Sequence, residues 1–197
     1  MSTLVLMRHG ESLWNLENRF TGSNDVPLTE KGRADAVNAA LKCPGQKFDV
    51  AYSSTLSRAK ETAVLFLKAL ESDAPLIAEP ALIEKSYGIL EGLSKTRVKA
   101  EYGEDIYNLW HRSYEVGPPG GESLYDLTLR VYPFVRRVVG EDLRLGKNVL
   151  LVAHGNVIRS LIMLVEKLDR KEVARVEVGT AVPLIYHLDE KFTVLDR

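Results

Sequence analysis

Four short apolar runs punctuate this chain, and stretches with helical spacing fill the intervals between them. The runs are "TLVLMR" (3–8), "FDVAYSS" (48–54), "NVLLVAH" (148–154) and "AVPLIYHL" (181–188). Each has the length and apolar character of a strand, and the first reads as a buried one. Among the helical patterns, "LTEKGRADAVNAAL" offers Thr29 as N-cap, and "TLSRAKETAVLFLKALE" repeats apolar residues at helical spacing. "ESLYDLTLRVYPFVRRVV" opens with a capping-box pattern, Ser123 followed three residues later by Asp126. Pro133, inside that pattern, is expected to kink or interrupt the helix. "HGNVIRSLIMLVEKL" completes the set. Alternation of this kind predicts an α/β fold, a three-layer sandwich with a mainly parallel central sheet and helices on both faces. The length suits one domain over residues 1–197.

Composition narrows the function classes. With 45% hydrophobic residues in 197, the chain can bury a substantial core. A formal net charge of -1 leaves no basic excess to neutralise phosphates, so a general nucleic-acid binder is not expected. No stretch approaches the length of a membrane span, and Arg8 interrupts the first apolar run too early for a signal peptide. The single cysteine, Cys43, forms no internal disulfide, which fits a reducing cytoplasm, and it reads as an inert loop thiol. A homo-oligomer is compatible with all of this.

The polar residues at the strand ends carry the functional signal, because open α/β sheets bind ligands beyond the carboxyl ends of their strands. The first run ends in Arg8-His9-Gly10 and the third in Ala153-His154-Gly155-Asn156, while the second leads to Arg58 in or beside a first helical turn. Two guanidiniums offer fixed forks that match phosphate oxygens. A neutral imidazole held in one tautomer is a competent nucleophile, and a second histidine, preferably protonated, can stabilise charge on the transferring group. The proton donor for the leaving oxygen has to be a carboxyl or similar group. Glu84, after a strand-like stretch (76–83), is the better-placed candidate, and Glu11 is its competitor. A metal site is not expected, since no histidine pair has zinc-motif spacing, no cysteine pair exists, and two arginines would repel a cation. His187 reads as a structural or surface histidine.

The segments "LVLMRHGES.WN", "FTGSNDVPLTEKG", "YSSTLSRAKET", "EKSYGILEGLSK", "WHRSYEVGPPGGES" and "VAHGNVIRSLI" resemble, in order, the motif series of the histidine phosphatase superfamily, and within it the cofactor-dependent phosphoglycerate mutases. The resemblance implies that His9 is phosphorylated, with Arg8, Arg58 and His154 around the phosphoryl group and Glu84 as general acid and base. It implies binding roles for Ser12, Asn15, Thr21 and Gly22 in the first loop, and for Gly155 and Asn156 in completing the pocket. Tyr87, Lys95 and Arg112 would hold the carboxylate or distal phosphate of phosphoglycerate, and His111, beside Arg112, is a further candidate for substrate binding. The implied priming phosphoryl donor is 2,3-bisphosphoglycerate, with no metal. Four positions depart from the pattern: Ile83 stands for an asparagine, Lys85 for an arginine, Ser23 for a tryptophan, and His111 for the first of an arginine pair. His111 facing a substrate anion is expected to be protonated there, so that binding weakens as pH rises. The segment after "YHL" is expected to leave little tail to close over the site. A mutase is the leading expectation. A phosphohistidine-type phosphatase hydrolysing small phosphomonoesters is the alternative, and a non-catalytic phosphate-binding protein the third reading.

Overall fold

The computed structural model describes residues 1–189 and 193–196. Among these residues six strands form one sheet: β1 (Ser2–Arg8), β2 (Val50–Ser53), β3 (Leu76–Ala78), β4 (Val149–Ala153), β5 (Pro183–Leu188) and β6 (Val194–Asp196). Their spatial order is β3-β2-β4-β1-β5-β6. The pairs β3–β2, β2–β4 and β4–β1 are parallel, whereas β5 joins β1 antiparallel and β6 joins β5 antiparallel. The sheet is therefore mainly parallel with an antiparallel edge.

Among the described residues, nine α-helical segments surround it: α1 (Leu13–Leu16), α2 (Glu30–Ala39), α3 (Ser57–Ala69), α4 (Lys95–Tyr102) and α5 (Glu104–Arg112) precede α6 (Leu124–Phe134), α7 (Gly140–Arg144), α8 (Gly155–Glu166) and α9 (Arg170–Val173). The continuous apolar character of β1 and β4 has a direct cause in the layering. Leu4, Leu6, Val149 and Leu151 face a core with Leu127 and Val131 of α6 and Ile158 and Leu161 of α8. Their alternates Val5, Met7, Leu150 and Val152 face the opposite core, with Ala63 and Phe66 of α3. Period-two alternation sends successive side chains to opposite faces, and both faces are covered.

Several local expectations hold. Thr29 caps α2 by accepting from the Gly32 N–H, and Ser123 and Asp126 form a reciprocal capping box on α6. Pro133 does not end its helix. Helix α6 runs through it and opens immediately afterwards into a π turn, Val135–Val139, before α7. A missing proline N–H and a widened turn belong together, since both release i→i−4 bonding. The strand expected over 76–83 is confined to Leu76–Ala78, because Pro80 begins a 3₁₀ turn, Pro80–Leu82, that cannot continue the ladder. Cys43 is buried, and burial pushes its thiol pKa up, so it stays protonated. His187 is exposed on β5 and pairs with Thr3 Oγ1 at 3.3 Å. The expectation about closure by the C-terminal segment involves residues 190–192 and 197, outside the described residues. Among the described residues, no helix is long and apolar enough to cross a membrane.

Helix α2 packs directly on the loop that follows β1, backbone to backbone. A Cβ on Gly32 would lie 2.1 Å from the Glu11 carbonyl oxygen, and one on Gly10 would lie 2.3 Å from the Gly32 carbonyl oxygen. Within an ordinary helix, Gly→Ala gains about 0.5–1 kcal/mol. Here the sign reverses: Gly32→Ala should lower the urea midpoint and displace residues 9–12. An unchanged or raised midpoint would show that the close approach is dispensable.

Candidate active site

Histidine 9 follows β1 directly, and its main-chain N–H donates to the Ala153 carbonyl at 2.9 Å, one step beyond the β1–β4 ladder. Its side-chain Nδ1 lies 2.6 Å from the Gly10 carbonyl oxygen. A carbonyl only accepts, so Nδ1 carries the proton and Nε2 presents its lone pair. Arg58, fully buried in the first turn of α3, donates from Nε towards His9 Nε2 at 3.3 Å. Its two other nitrogens donate to the carbonyls of Asn24 (2.6 Å) and Gly22 (2.9 Å). Gly22 sits at φ +58°, a left-handed conformation that favours glycine, where the loop closes on the arginine. Arg8 donates from Nη1 to the Val178 carbonyl at 2.9 Å. His154 follows β4, its ring centroid 5.1 Å from that of His9.

Glu84 enters from the connection after β3. Its carboxylate accepts from the Lys85 N–H (2.9 Å) and from the Asn156 N–H (3.1 Å) in the first turn of α8. Gly155 runs beside both Arg8 and Glu84: a Cβ there would lie 3.6 Å from Arg8 Cζ and 3.7 Å from Glu84 Oε2. The Asn156 side chain donates to Tyr87 Oη at 3.0 Å and accepts from Arg159 Nη1 at 2.6 Å. Lys95 opens α4, and His111 and Arg112 close α5. Arg112 Nη2 pairs with Glu177 Oε1 at 2.7 Å.

These groups line a cavity of about 190 Å³. That is below the ~300 Å³ at which pockets for drug-sized ligands begin, and it suits a small anion. Arg8, Arg19, Arg58, Lys95, Arg112 and Arg159 line it, against two carboxylates, Glu84 and Glu177. Among the described residues, the buried side-chain polar atoms without a partner are Arg8 Nε, Thr21 Oγ1, Arg112 Nη1 and His154 Nδ1. Three belong to lining residues and the fourth to the neighbour of His9. Unsatisfied donors in a cationic cavity are what an anion would satisfy.

Burial also decides protonation. His9 is held well below the usual imidazole pKa by burial first and then by Arg58 and Arg8, so its nucleophilic form dominates near neutral pH. His154 is pushed down in the same way, by burial and then Arg58, which corrects the expectation of a protonated second histidine. The pKa of His111 is pushed down to about 2 by burial, then by Arg112, Lys95, Arg159 and Lys85. It lines the cavity as expected, but without ligand it is uncharged near neutral pH, among four cations that oppose its protonation. Arg58 falls to about 10, again chiefly through burial, and stays charged.

A family model described as the histidine phosphatase superfamily, branch 1, matches residues 4–197. The chain belongs to the histidine phosphatase superfamily. It is 46% identical to the 2,3-bisphosphoglycerate-dependent phosphoglycerate mutase of Bartonella quintana, over 99% of this chain and 96% of that one. It is 40% identical to 2,3-bisphosphoglycerate-dependent phosphoglycerate mutase 1 of Gloeobacter violaceus, over 100% and 98%. Among solved structures it is similar to Bacillus stearothermophilus YhfR, with TM-score 0.84 and 28% identity over 98% of this chain and 94% of that one. It is also similar to a mycobacterial glucosyl-3-phosphoglycerate phosphatase in complex with VO3, with TM-score 0.79 and 29% identity over 95% and 93%.

For this superfamily member, the structure gathers most of the expected site residues in one cavity. Arg8, His9, Asn15, Thr21, Gly22 and Arg58 line it from the first half of the chain. Glu84, Tyr87, Lys95, His111, Arg112 and the Gly155-Asn156 pair line it from the second. Ser12 is fully buried behind the wall, capping α1 and donating from Oγ to Asn15 Oδ1 at 3.0 Å, so it orients Asn15. Glu11 supports the loop by accepting from Thr29 Oγ1 at 2.9 Å. Where the family carries a tryptophan, Ser23 bonds through its N–H and hydroxyl to Glu91, a carboxylate that also accepts from Tyr87 N–H. Lys85 is buried outside the cavity, its ammonium donating to the Trp110 carbonyl at 3.2 Å and lying over the Tyr87 ring. Among the charged lining residues, sequence reasoning missed Arg19, Arg159 and Glu177. Arg159 had a signal, since it stands three residues after Asn156 and so on the same helical face. Glu177 lies in a loop with no such periodicity.

Glu177 occupies one edge of the Arg112 guanidinium with the chemistry a substrate carboxylate would use. The pair is partly exposed, so its strength is modest. Glu177→Gln should tighten inorganic phosphate binding, measured calorimetrically, by roughly two- to five-fold. Unchanged or weaker binding would mean that Glu177 does not compete for the anion site.

Proposed function

We propose that the protein is a 2,3-bisphosphoglycerate-dependent phosphoglycerate mutase of glycolysis and gluconeogenesis, interconverting 3-phosphoglycerate and 2-phosphoglycerate through a phosphohistidine at His9. It would act as one domain over residues 1–197, in the cytoplasm. The observation that carries this reading is that one cavity joins the free lone pair of His9 Nε2 to two sets of cations. Arg8 and Arg58 attend the histidine, while Lys95, Arg112 and Arg159 remain for a second anionic group. A site for phosphate alone would need only the first set. The relatives named as mutases, at 40–46% identity over nearly the full chain, support it.

2,3-Bisphosphoglycerate supplies the phosphoryl group that loads His9. The unsatisfied Arg8 Nε, Thr21 Oγ1 and Arg112 Nη1 fit a ligand with several anionic groups. In the transfer steps His9 Nε2 forms an N–P bond as the P–O bond to the leaving oxygen breaks, and the reverse returns the phosphoryl group. The long Arg58–His9 bond, 3.3 Å, gives way so that the guanidinium can meet phosphoryl oxygens. Glu84 gives a proton to the leaving oxygen and takes one from the attacking hydroxyl. The Lys85 and Asn156 N–H groups hold it in place for both.

Loading is testable on its own. Incubation with 2,3-bisphosphoglycerate should yield a phosphoenzyme that is lost in acid and survives base, and His9→Ala should abolish it. A label of the same lability on His9→Ala would assign the nucleophile to another histidine.

Hydrolysis is the competing reading, favoured by structural neighbours whose titles name phosphatases, including a putative α-ribazole-5'-phosphate phosphatase of Escherichia coli (TM-score 0.82, 27% identity). A product assay with 3-phosphoglycerate, with and without 2,3-bisphosphoglycerate, separates the two. Isomerisation should exceed phosphate release by about ten-fold or more, since a bound acceptor has a high effective concentration. Phosphate release equal to isomerisation or faster would favour the phosphatase.

A further inference from the structure

Two buried histidines stand side by side here, and only one of them is the nucleophile. The other, His154, has a hydrogen-bonding pattern that its role around a phosphoryl group does not by itself explain. Its Nε2 lies 2.7 Å from Ser54 Oγ, and its Nδ1 has no partner among the described residues. Both residues are fully buried. Ser54 ends the loop-ward extension of β2 and accepts, at the same oxygen, the Leu56 N–H at 3.3 Å.

The contact admits two proton placements, and they differ in how many buried groups stay unsatisfied. If Nε2 carried the proton and donated to Ser54, the serine hydrogen would have no acceptor among the described residues. The Nδ1 lone pair would also have no donor. If Ser54 donates to Nε2, the serine hydrogen is satisfied and a single unpaired group remains, the N–H on Nδ1. Buried polar groups without partners are costly, so the second arrangement is favoured. The remaining N–H belongs to a ring beside His9, whose phosphoryl group would bring oxygen acceptors into a site that otherwise offers it none.

We infer that Ser54 is a positioning residue that fixes His154 as its Nδ1–H tautomer, so that His154 can donate one hydrogen bond to the phosphoryl group on His9. His9 and His154 then share a tautomer for opposite purposes. In His9 the Gly10 carbonyl takes Nδ1–H and frees Nε2 to attack. In His154 the serine occupies Nε2 and frees Nδ1–H to donate. No proton moves in this role: the N–H stays on His154 while the N–P bond forms and breaks at His9. Arg58, His9, Arg8 and Arg130 all act electrostatically against a charge on the ring, and no acid counters them there.

The inference rests on the phosphohistidine reading of His9, but its primary test needs no substrate and so can fail separately. Protein labelled with 15N-histidine is examined by long-range 1H–15N NMR near neutral pH, with His154→Gln identifying the His154 signals by their loss. A pyrrole-type Nδ1 and a pyridine-type Nε2 are expected in the wild type. The reverse pattern, or an imidazolium, would overturn the proposal whatever the activity. In Ser54→Ala the pattern should shift towards Nε2–H, and kcat should fall roughly ten-fold or more with KM little changed, as for a lost transition-state donor. Ser54→Thr, which keeps the hydroxyl, should restore the tautomer and most of the kcat. A folded Ser54→Ala protein with wild-type tautomer and kcat would also overturn the proposal.

Discussion

The ladder between β1 and β4 is the constraint from which the site follows. It pairs Arg8 with Ala153, and the next bond runs from the His9 N–H to the Ala153 carbonyl. Parallel strands in that register end at the same level, so His9 and His154 leave the sheet together. A shift of one residue would turn every side chain of β1 to the opposite face and put Val5 and Met7 where Leu4 and Leu6 now pack. The two apolar cores therefore lock the distance between the histidines. β2 lies on the other side of β4, and the segment after it contributes both Ser54 to His154 and Arg58 to His9.

Around that pair the protein buries positive charge with few carboxylates to balance it. The nitrogens of Arg58 are directed to two loop carbonyls and to an imidazole, and one of those of Arg8 to a strand-side carbonyl. Carbonyl dipoles hold guanidiniums in place without neutralising them, so the charge stays available for an anion. The same crowding keeps His9, His111 and His154 neutral. For the nucleophile this is useful, because an imidazolium has no lone pair to attack with. For His154, the inferred role towards a phosphoryl group would act through a directed N–H rather than a full charge.

The loops that carry the remaining groups are joined to each other as well as to the sheet. Glu91 accepts from Ser23 and from Asn24 in the first loop and from Ser86 and Tyr87 in the later one. It thereby ties the segment whose carbonyls hold Arg58 to the segment that carries Glu84 and Tyr87. Asn156 makes a comparable link across the site, bonding Glu84, Tyr87 and Arg159 at once.

The sequence by itself determined the layered α/β architecture and which strand ends carry the candidate site residues. Apolar runs of strand length, caps at Thr29 and Ser123, and the Arg-His-Gly and His-Gly-Asn strand ends are local signals, set by neighbours within a few residues. Arg159 was readable in the same way, from its spacing to Asn156. Pro133 shows the limit of local reading: the chain widens into a π turn because α6 and the turn after it are packed on the sheet and have no room to break. Only the tertiary structure decided that β4 lies between β1 and β2, that Glu177 reaches Arg112, and that Ser12 stands behind the wall. It also set the burial and neighbouring cations that hold His111 and His154 below the usual imidazole pKa when no ligand is bound. Charge and tautomer depend on burial and on partners brought together from distant parts of the chain, such as Ser54 and His154, a hundred residues apart. No spacing rule encodes a contact of that kind.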